Sequence, residues 1–239
     1  MSHMFRGATA FNGNISSWDT AAVTSMENMF DGATSFNGNI TSWNTATVTK
    51  MNNMFYGATS FNQNINTSGS SWNTAAVTDM AEMFSGATAF NQNISSWNTA
   101  AVNNMSFMFN GATAFNQNIS SWNTAAVTTI AYMFQVATSF NQPLTHSGNS
   151  WNLEDVTDMT NMFNGATGFS TANYDIFLNS QANNANINSN ITITAASKYS
   201  DATSRTFLTG TKNWTITDLG EEASVAPTVS SVTSTKANG

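Results

Sequence analysis

The sequence predicts an α/β fold of the solenoid type, and three observations predict it. A motif of Phe-Asn, Ile, Trp-Asn-Thr, Val-Thr, Met and Met-Phe recurs along most of the 239 residues. Its opening Phe recurs every 25 residues, with two intervals of 29. Within each repeat, a spaced extended pattern gives way to a helical pattern. Repeats of about 20 to 50 residues bury their apolar faces against their neighbours, so residues 1–169 are expected to form about seven stacked coils. The opening residues are Phe11, Phe36, Phe61, Phe90, Phe115, Phe140 and Phe169.

The first half of each repeat reads as a short strand. Phe36, Ile40 and Trp43 are expected to point inward, with turn-forming residues between them. Stacked coils would pair these segments as a parallel sheet. An Asn follows the opening Phe in six repeats, and its amide can satisfy backbone groups from coil to coil. These residues are Asn12, Asn37, Asn62, Asn91, Asn116 and Asn141.

The second half of each repeat reads as a short helix. Its apolar residues recur at steps of three or four, which is the spacing of a helical stripe. Thr49 stands at the expected N-cap and Gly57 at the expected C-terminal stop. The apolar positions in this repeat are Val48, Met51, Met54, Phe55 and Ala58.

Two repeats carry four extra residues just before the Trp, at 66–69 and 145–148. Insertions into repeats form loops on one face, which is often the binding face. A duplicated three-coil block that carried its insertion along explains the same pattern, and both interpretations stay open. We place candidate binding residues in these loops, at Asn66, Thr67, Ser68, Thr145, His146 and Ser147.

The repeat pattern ends after Phe169. The patterns predict a helix over 170–178, a strand over 190–194, a helix over 201–208 and a strand over 214–218. Residues 170–222 are expected to form a cap that closes the open end of the stack. The segment 223–239 reads as a linker into a missing following domain. No such cap precedes Phe5 and Phe11, so this end is expected to fray or to support a weak dimer.

Composition excludes several classes of partner. The formal net charge is −7, with only six Lys and Arg, so no basic stripe is available for nucleic acid. Anionic membrane surfaces are excluded as partners for the same reason, and no apolar run is long enough to insert into a bilayer. The chain has no Cys, which excludes disulfides and thiolate metal sites.

Catalysis and cofactors are not expected. His146 is the single histidine beyond the first four residues, and nothing in its loop supports a Ser-His-Asp arrangement. Glu154, Asp155 and Asp158 form the densest acidic cluster and offer oxygen ligands for calcium. The favoured interpretation is that these acids complement the dipole of a helix N-terminus, because no known calcium motif is present.

The phrase Phe-Asn-x-x-Ile-Ser-Ser-Trp-Asn-Thr-x-x-Val-Thr-x-Met-x-x-Met-Phe resembles the repeat of BspA-like leucine-rich-repeat surface proteins of bacteria. The resemblance covers residues 4–169, and Trp214 to Asp218 is similar to the family's ending. It implies a right-handed leucine-rich-repeat-like solenoid, with a short parallel strand and a short helix per coil and an α/β cap. It also implies an extracellular position at the bacterial cell surface. Gln135-Val136 departs from the usual residue-Gly pair, so a local distortion is expected there.

The expected function is adhesion or ligand binding, with an extracellular protein, peptide or glycan as the partner. Rows of amides and hydroxyls on the predicted sheet face suit such ligands, because they offer donors and acceptors without a charge. The rows are Gln63, Gln92, Gln117 and Gln142, and Thr41, Ser95 and Ser120.

Two alternatives stay open. One is an ice-binding surface made by two Thr rows, and the other is a passive spacer in a long adhesin. The first row is Thr20, Thr45, Thr74, Thr99 and Thr124, and the second is Thr24, Thr49, Thr78, Thr128 and Thr157.

Overall fold

The computed structural model describes residues 1–67 and 71–223. Ser68 and nearly all of the expected linker lie outside these ranges. The regular elements are β1 (Met159–Phe163), α1 (Thr171–Ala182), β2 (Thr192–Ala195), α2 (Ala202–Gly210) and β3 (Thr215–Thr217). The two helices and two strands predicted after Phe169 are therefore confirmed.

Neighbouring repeats join through backbone hydrogen bonds in their second halves. Parallel bridges link residues 25 or 29 apart, from Ser25 through Lys50 and onward to Asp158. Beyond the first bridge, the N–H groups of Met26, Asn28 and Phe30 all donate to carbonyls of the next repeat, at 2.9 to 3.1 Å. The insertions leave this register intact, since Thr78 N donates to Thr49 O across an interval of 29.

The expected helix in each repeat is wrong. Residues 52–57 form turns, in which Met54 N donates to Met51 O and Ala58 N donates to Phe55 O. Asn53 and Gly57 have φ values of +55° and +61°, which a helix does not contain. Thr49 is not an N-cap, because its Oγ1 donates to Thr24 O of the preceding repeat.

The expected strand in the first half of each repeat is also wrong, since residues 36–45 contain no strand. The parallel bridges lie in the second half instead. The Asn ladder is confirmed: Asn12 Oδ1 accepts from Asn37 N, and Asn37 Oδ1 accepts from Asn62 N, both at 2.9 Å. The side chain thus supplies the acceptor that a strand partner would have supplied.

The core is a continuous column of apolar side chains. Phe36, Ile40 and Trp43 are fully buried, as predicted. In the five repeats from Trp43 to Trp151, the Trp indole N–H donates to an Ile carbonyl of the repeat before it, for example Trp43 Nε1 to Ile15 O at 3.1 Å. Inside each repeat two Phe rings stack, with the centroids of Phe55 and Phe61 3.8 Å apart.

The distortion expected at Gln135-Val136 is absent. Val136 has φ +57°, against +66° at Gly111 and +73° at Gly165 in the same column. Its N–H donates to Asn164 O at 2.8 Å, as the glycines in that column donate to their next repeats. The backbone keeps its shape, and the valine takes up the strain.

The cap continues the last repeat. β2 pairs parallel with β1, and β3 pairs parallel with β2. Ser170 ends the Asn ladder, because its N–H donates to Asn141 Oδ1 while its side chain caps α1. The helices α1 and α2 pack against each other beside the sheet.

We propose that the stacked repeats form a right-handed solenoid of the leucine-rich-repeat-like kind. The parallel bridges between successive repeats support this, because parallel segments joined by crossovers are almost always connected with a right hand. In the described part of the chain, no helix has both the length and the apolar character needed to cross a membrane.

Candidate binding sites at the insertion loops

The first insertion loop is held against the repeat that follows it. Thr67 N donates to Ser96 Oγ at 3.2 Å, and Thr67 Oγ1 donates to Ser96 O at 2.8 Å. Asn66 accepts from the same Ser96 hydroxyl, and Asn66 N donates to Asn64 Oδ1. The described half of this loop is therefore held by Ser96 of the next repeat and by the local turn at Asn64.

A recess of about 560 Å³ borders the first loop. We call it recess A. Its wall is neutral, because it consists of amides, hydroxyls, one Ala and the edge of one Trp. The lining residues are Asn44, Ala46, Thr67, Ser71, Trp72 and Asn73.

The second insertion loop closes as a tight turn. The N–H groups of Ser147 and Ser150 donate to each other's carbonyl at 3.0 Å, and Gly148 between them has φ +59°. His146 N donates to Ser180 Oγ, which ties the loop to helix α1. This contact brings a break in the repeat pattern against the cap.

A second recess, of about 540 Å³, lies between this loop and the cap. We call it recess B. Ile176 forms an apolar surface that is 39% exposed, and none of the lining residues is Lys or Arg. The lining residues are Thr145, His146, Asp175, Ile176, Asn179, Ser180, Asn183 and Asp201.

The two carboxylates of recess B are held by backbone and hydroxyl donors. Asp175 accepts from Ser200 N and Asp201 N at 2.9 and 3.0 Å. Burial by itself raises the pKa of Asp201, but hydrogen bonds from Ser204 and Asn179 outweigh it and lower that pKa below the ordinary value. Recess B therefore carries negative charge at neutral pH.

Recess B brings a serine, a histidine and an aspartate together without the geometry of a catalytic triad. Ser180 Oγ accepts from the backbone of His146, not from its imidazole. His146 Nδ1 is buried without a hydrogen-bond partner among the described residues. Among the described residues, Asp175 is bonded to Ser200 and Asp201, and no carboxylate is bonded to His146 Nδ1.

The predicted Gln row lies on the Asn ladder. Gln63 Nε2 donates to Asn37 Oδ1 at 3.0 Å, and the same contact recurs one repeat later from Gln92 to Asn62. Gln117 and Gln142 continue the row at 2.9 Å. These amides brace the stack, and their role in binding remains a prediction.

The predicted hydroxyl row lies in local turns. The N–H groups of Thr41, Ser95 and Ser120 donate to the Asn side chain two residues earlier, at 2.9 to 3.0 Å. These residues are partly buried and follow the Ile of each repeat. Because the predicted sheet face is absent at this position, the Gln and hydroxyl rows do not form a strand surface.

The acidic cluster does not lie at a helix N-terminus, so the helix-dipole interpretation is wrong. Asp158 precedes strand β1, and its Oδ1 accepts from Thr160 N. Glu154 Oε1 accepts from Asn186 Nδ2, and Asp155 is exposed. Within the ranges that the structure covers, no group of three or more His, Cys, Asp and Glu side chains could hold a metal ion.

The first Thr row is buried, so it cannot be an ice-binding surface. Thr20, Thr45 and Thr74 are at most 1% exposed, and each Oγ1 donates to a carbonyl of the next repeat. Thr99 and Thr124 make the same contact. The second row, from Thr24 to Thr157, is exposed.

The sequence patterns did not place the cap in a binding site. Asp175, Ile176 and Asn179 lie outside the buried set of α1, and no local sequence signal marks them. Phe107 and Tyr132 carry a signal that was missed. They replace Asn in a column that holds Asn28, Asn53 and Asn161.

Repeating backbone contacts at intervals of 25 or 29 residues define a repeat protein. Within that class, the chain belongs to the family described as "Mycoplasma protein of unknown function, DUF285", whose model matches residues 1–71 and 65–177. No curated protein and no solved structure matches the chain.

Proposed function

We propose that the protein is a cell-surface module of the BspA-like leucine-rich-repeat kind that binds an extracellular protein, peptide or glycan. The observation that carries this proposal is that both insertion loops border a recess. The surrounding repeats share one hydrogen-bonding scheme, so the loops are where this chain departs from its own pattern. Departures of this kind are often binding features in repeat proteins.

The anchoring of the loops supports a binding role. Thr67 is bonded to Ser96, and His146 is bonded to Ser180. Contacts that hold part of a loop in place reduce the conformational entropy that is lost when a ligand binds. The recesses are therefore suited to recognition with little rearrangement.

The chemistry of the recesses supports polar ligands. Recess A offers amides and hydroxyls, which suit sugars and peptide backbones. Recess B adds two carboxylates and an apolar side chain, which suit a group with a cationic or hydroxylated end and an aliphatic part. We propose no catalytic step, since His146 Nδ1 has no hydrogen-bond partner among the described residues.

The test is a glycan and extracellular-matrix protein array, run with calcium and with chelator. Two deletion variants, lacking 66–69 and 145–148, return their repeats to 25 residues and are matched controls for each other. A ligand of recess B should be lost only from the second variant. The variant Ile176→Ser tests the same recess without shortening the loop.

No specific signal under either condition would refute the binding proposal. A signal that both deletions leave unchanged would place binding elsewhere and refute the role of the loops. Melting curves of the variants guard against unfolding as the cause of a lost signal.

We expect the chain to be a monomer or a weak dimer through the end around Phe5, Phe11 and Trp18, whose rings are only partly buried.

The ice-binding alternative retains one supporting observation, the exposed row from Thr24 to Thr157. Its hydroxyls already donate within the stack, as in the bond from Thr78 Oγ1 to Thr49 O at 3.2 Å. An ice-affinity assay separates this surface from a spacer, because only the former would partition into ice.

A further inference from the structure

Two aromatic residues occupy a backbone position that does not suit them. Phe107 and Tyr132 have φ values of +56° and +60°. Bulky residues are true outliers in this region, whereas Asn tolerates it. Three other repeats carry Asn in this column, at Asn28, Asn53 and Asn161. Glu82, in the preceding repeat, has φ +57°, so the column imposes this conformation on whatever residue it holds. At Phe107 and Tyr132 it holds two bulky rings under strain, and such strain is concentrated at functional sites.

The two rings form a pair at the surface. Their centroids are 4.3 Å apart with an interplanar angle of 4°, and both residues are partly exposed. Glu82 and Asn161 continue the column on either side, and neither carries a ring. No third ring covers the outer faces of the pair among the described residues.

An amide pair lies beside the rings. Asn110 N donates to Phe107 O at 3.0 Å, and Gln135 N donates to Tyr132 O at 3.1 Å. Each ring and its amide therefore stand at the two ends of one turn, with Cα atoms within about 7 Å. Asn110 Nδ2 donates to Gln135 Oε1 at 2.7 Å, which leaves Asn110 Oδ1 as an acceptor and Gln135 Nε2 as a donor.

We propose that Phe107, Tyr132, Asn110 and Gln135 form a glycan-binding patch that is separate from recesses A and B. One face of a pyranose ring carries C–H groups that pack on an aromatic face, while its hydroxyls need both a donor and an acceptor. The patch offers both kinds of group without a charge. A neutral oligosaccharide fits this combination better than a charged ligand, because none of the four side chains carries a charge.

The test compares wild type with the double variant Phe107→Asn and Tyr132→Asn on a neutral glycan array, followed by titration of the strongest ligand. Asn is the residue that the chain itself uses in this column, so the backbone strain is relieved. We expect affinity to fall at least about tenfold while the melting temperature stays the same or rises. Tyr132→Phe, which keeps the ring, should retain binding.

Tyr56→Ser is the control for loss of an exposed aromatic, since Tyr56 is 41% exposed and Ser85 fills its column in the next repeat. The deletion of 145–148 should leave this affinity unchanged, which separates this patch from recess B. The proposal is overturned if wild type binds no neutral glycan, or if the double variant binds as wild type does. It is also overturned if the double variant melts earlier, because the rings would then be structural.

Discussion

Val136 shows how one residue can oppose the backbone that its neighbours favour. Six repeats place glycine in its column with φ between +61° and +73°, and Val136 adopts +57°. A β-branched residue in this region is strained by about 1–3 kcal/mol. Because the side chain is 46% exposed, little burial offsets that strain. The glycine positions are Gly7, Gly32, Gly57, Gly86, Gly111 and Gly165.

We predict that Val136→Gly stabilises the protein by about 1 kcal/mol. Relief of the strain exceeds the extra entropy that glycine loses on folding, which is about 0.5–1 kcal/mol. The expected rise in Tm is about 2–4 °C for a chain of this size, measured by thermal unfolding.

Gly111→Val is the reciprocal control. A Cβ at Gly111 would lie 3.8 Å from Gly86 Cα, an ordinary contact, so the cost comes from its φ of +66°. This variant should unfold at lower temperature by a comparable amount. An unchanged or lower Tm for Val136→Gly would show that the valine makes contacts that outweigh its strain.

Residue identity predicted the core well. The Phe, Ile and Trp columns are buried because a side chain that is apolar in every repeat has nowhere else to lie. The Asn ladder followed from the same regularity, since Asn91 Oδ1 accepts from Asn116 N at 3.0 Å as the pattern requires. The sequence also showed that Val136 replaces the glycine of its column. It did not show whether the backbone would change its conformation or the valine would adopt the positive φ of the glycines.

At the scale of elements, a spacing of three has two structural explanations. Consecutive turns and a helix both place residues three apart on one side, as Met51 and Met54 show. The two structures differ in the sign of φ, which is negative throughout a helix but +55° at Asn53. Asn and Gly at the positions of positive φ distinguish consecutive turns from a helix, and the periodicity of the apolar residues alone does not.

Asp201 caps helix α2, and its charge makes the cap dependent on pH. Its carboxylate accepts from Ser204 N and Ser204 Oγ at 3.0 and 2.5 Å. These bonds, with that from Asn179, outweigh burial and lower the pKa of Asp201. A lowered pKa in the folded state means that stability from this group is complete above the ordinary Asp pKa of about 4 and is lost as pH falls.

We predict that Asp201→Ala lowers stability at pH 7 by about 1 kcal/mol, the usual worth of an N-cap. The difference from wild type should shrink as pH falls below about 4, because the carboxylate of the unfolded chain binds a proton first and that of the folded chain follows at lower pH. Denaturant unfolding at pH 7 and pH 3 measures both values.

Asp201→Asn keeps a capping oxygen and removes the titration. Its stability relative to Asp201→Ala should therefore change little between the two pH values. If the Asp201→Ala difference is as large at pH 3 as at pH 7, the capping role of the charged form is refuted.

At the scale of the whole molecule, each repeat contacts its neighbours through one set of hydrogen bonds. Met80 N donates to Asn104 O and Met105 N donates to Thr129 O, both at 3.1 Å. Stability is then expected to be a sum of repeat and interface contributions. Neighbouring interfaces are interchangeable in such an arrangement.

We predict that deletion of residues 90–114, one complete repeat, leaves a folded protein. The deletion joins Ala89 to Phe115, which restores the same column contacts with one interface fewer. Circular dichroism and a cooperative melt within a few degrees of wild type are the expected result. Deletion of 90–102, which breaks the period, should abolish the cooperative melt. If both deletions melt alike, the solenoid proposal is wrong.

The candidate sites were only partly predictable from sequence. The insertion loops were found because they interrupt a period, and recess A lies beside the first of them. Recess B required the contact between His146 and Ser180, which are 34 residues apart and belong to unrelated patterns. Tertiary contacts between a loop and a cap have no local sequence signal, so Asp175 and Ile176 could not be assigned.

Because the parallel register is uniform, the number of repeats fixes the distance between the two insertion loops. Adjacent repeats lie about 4.8 Å apart where they pair, so the three intervals between the two insertion loops correspond to about 14 Å. Duplication or loss of one repeat between the loops would change that separation by one fixed step while each loop kept its own recess. A partner that spans both recesses would therefore bind only when the number of repeats gives the separation that it requires.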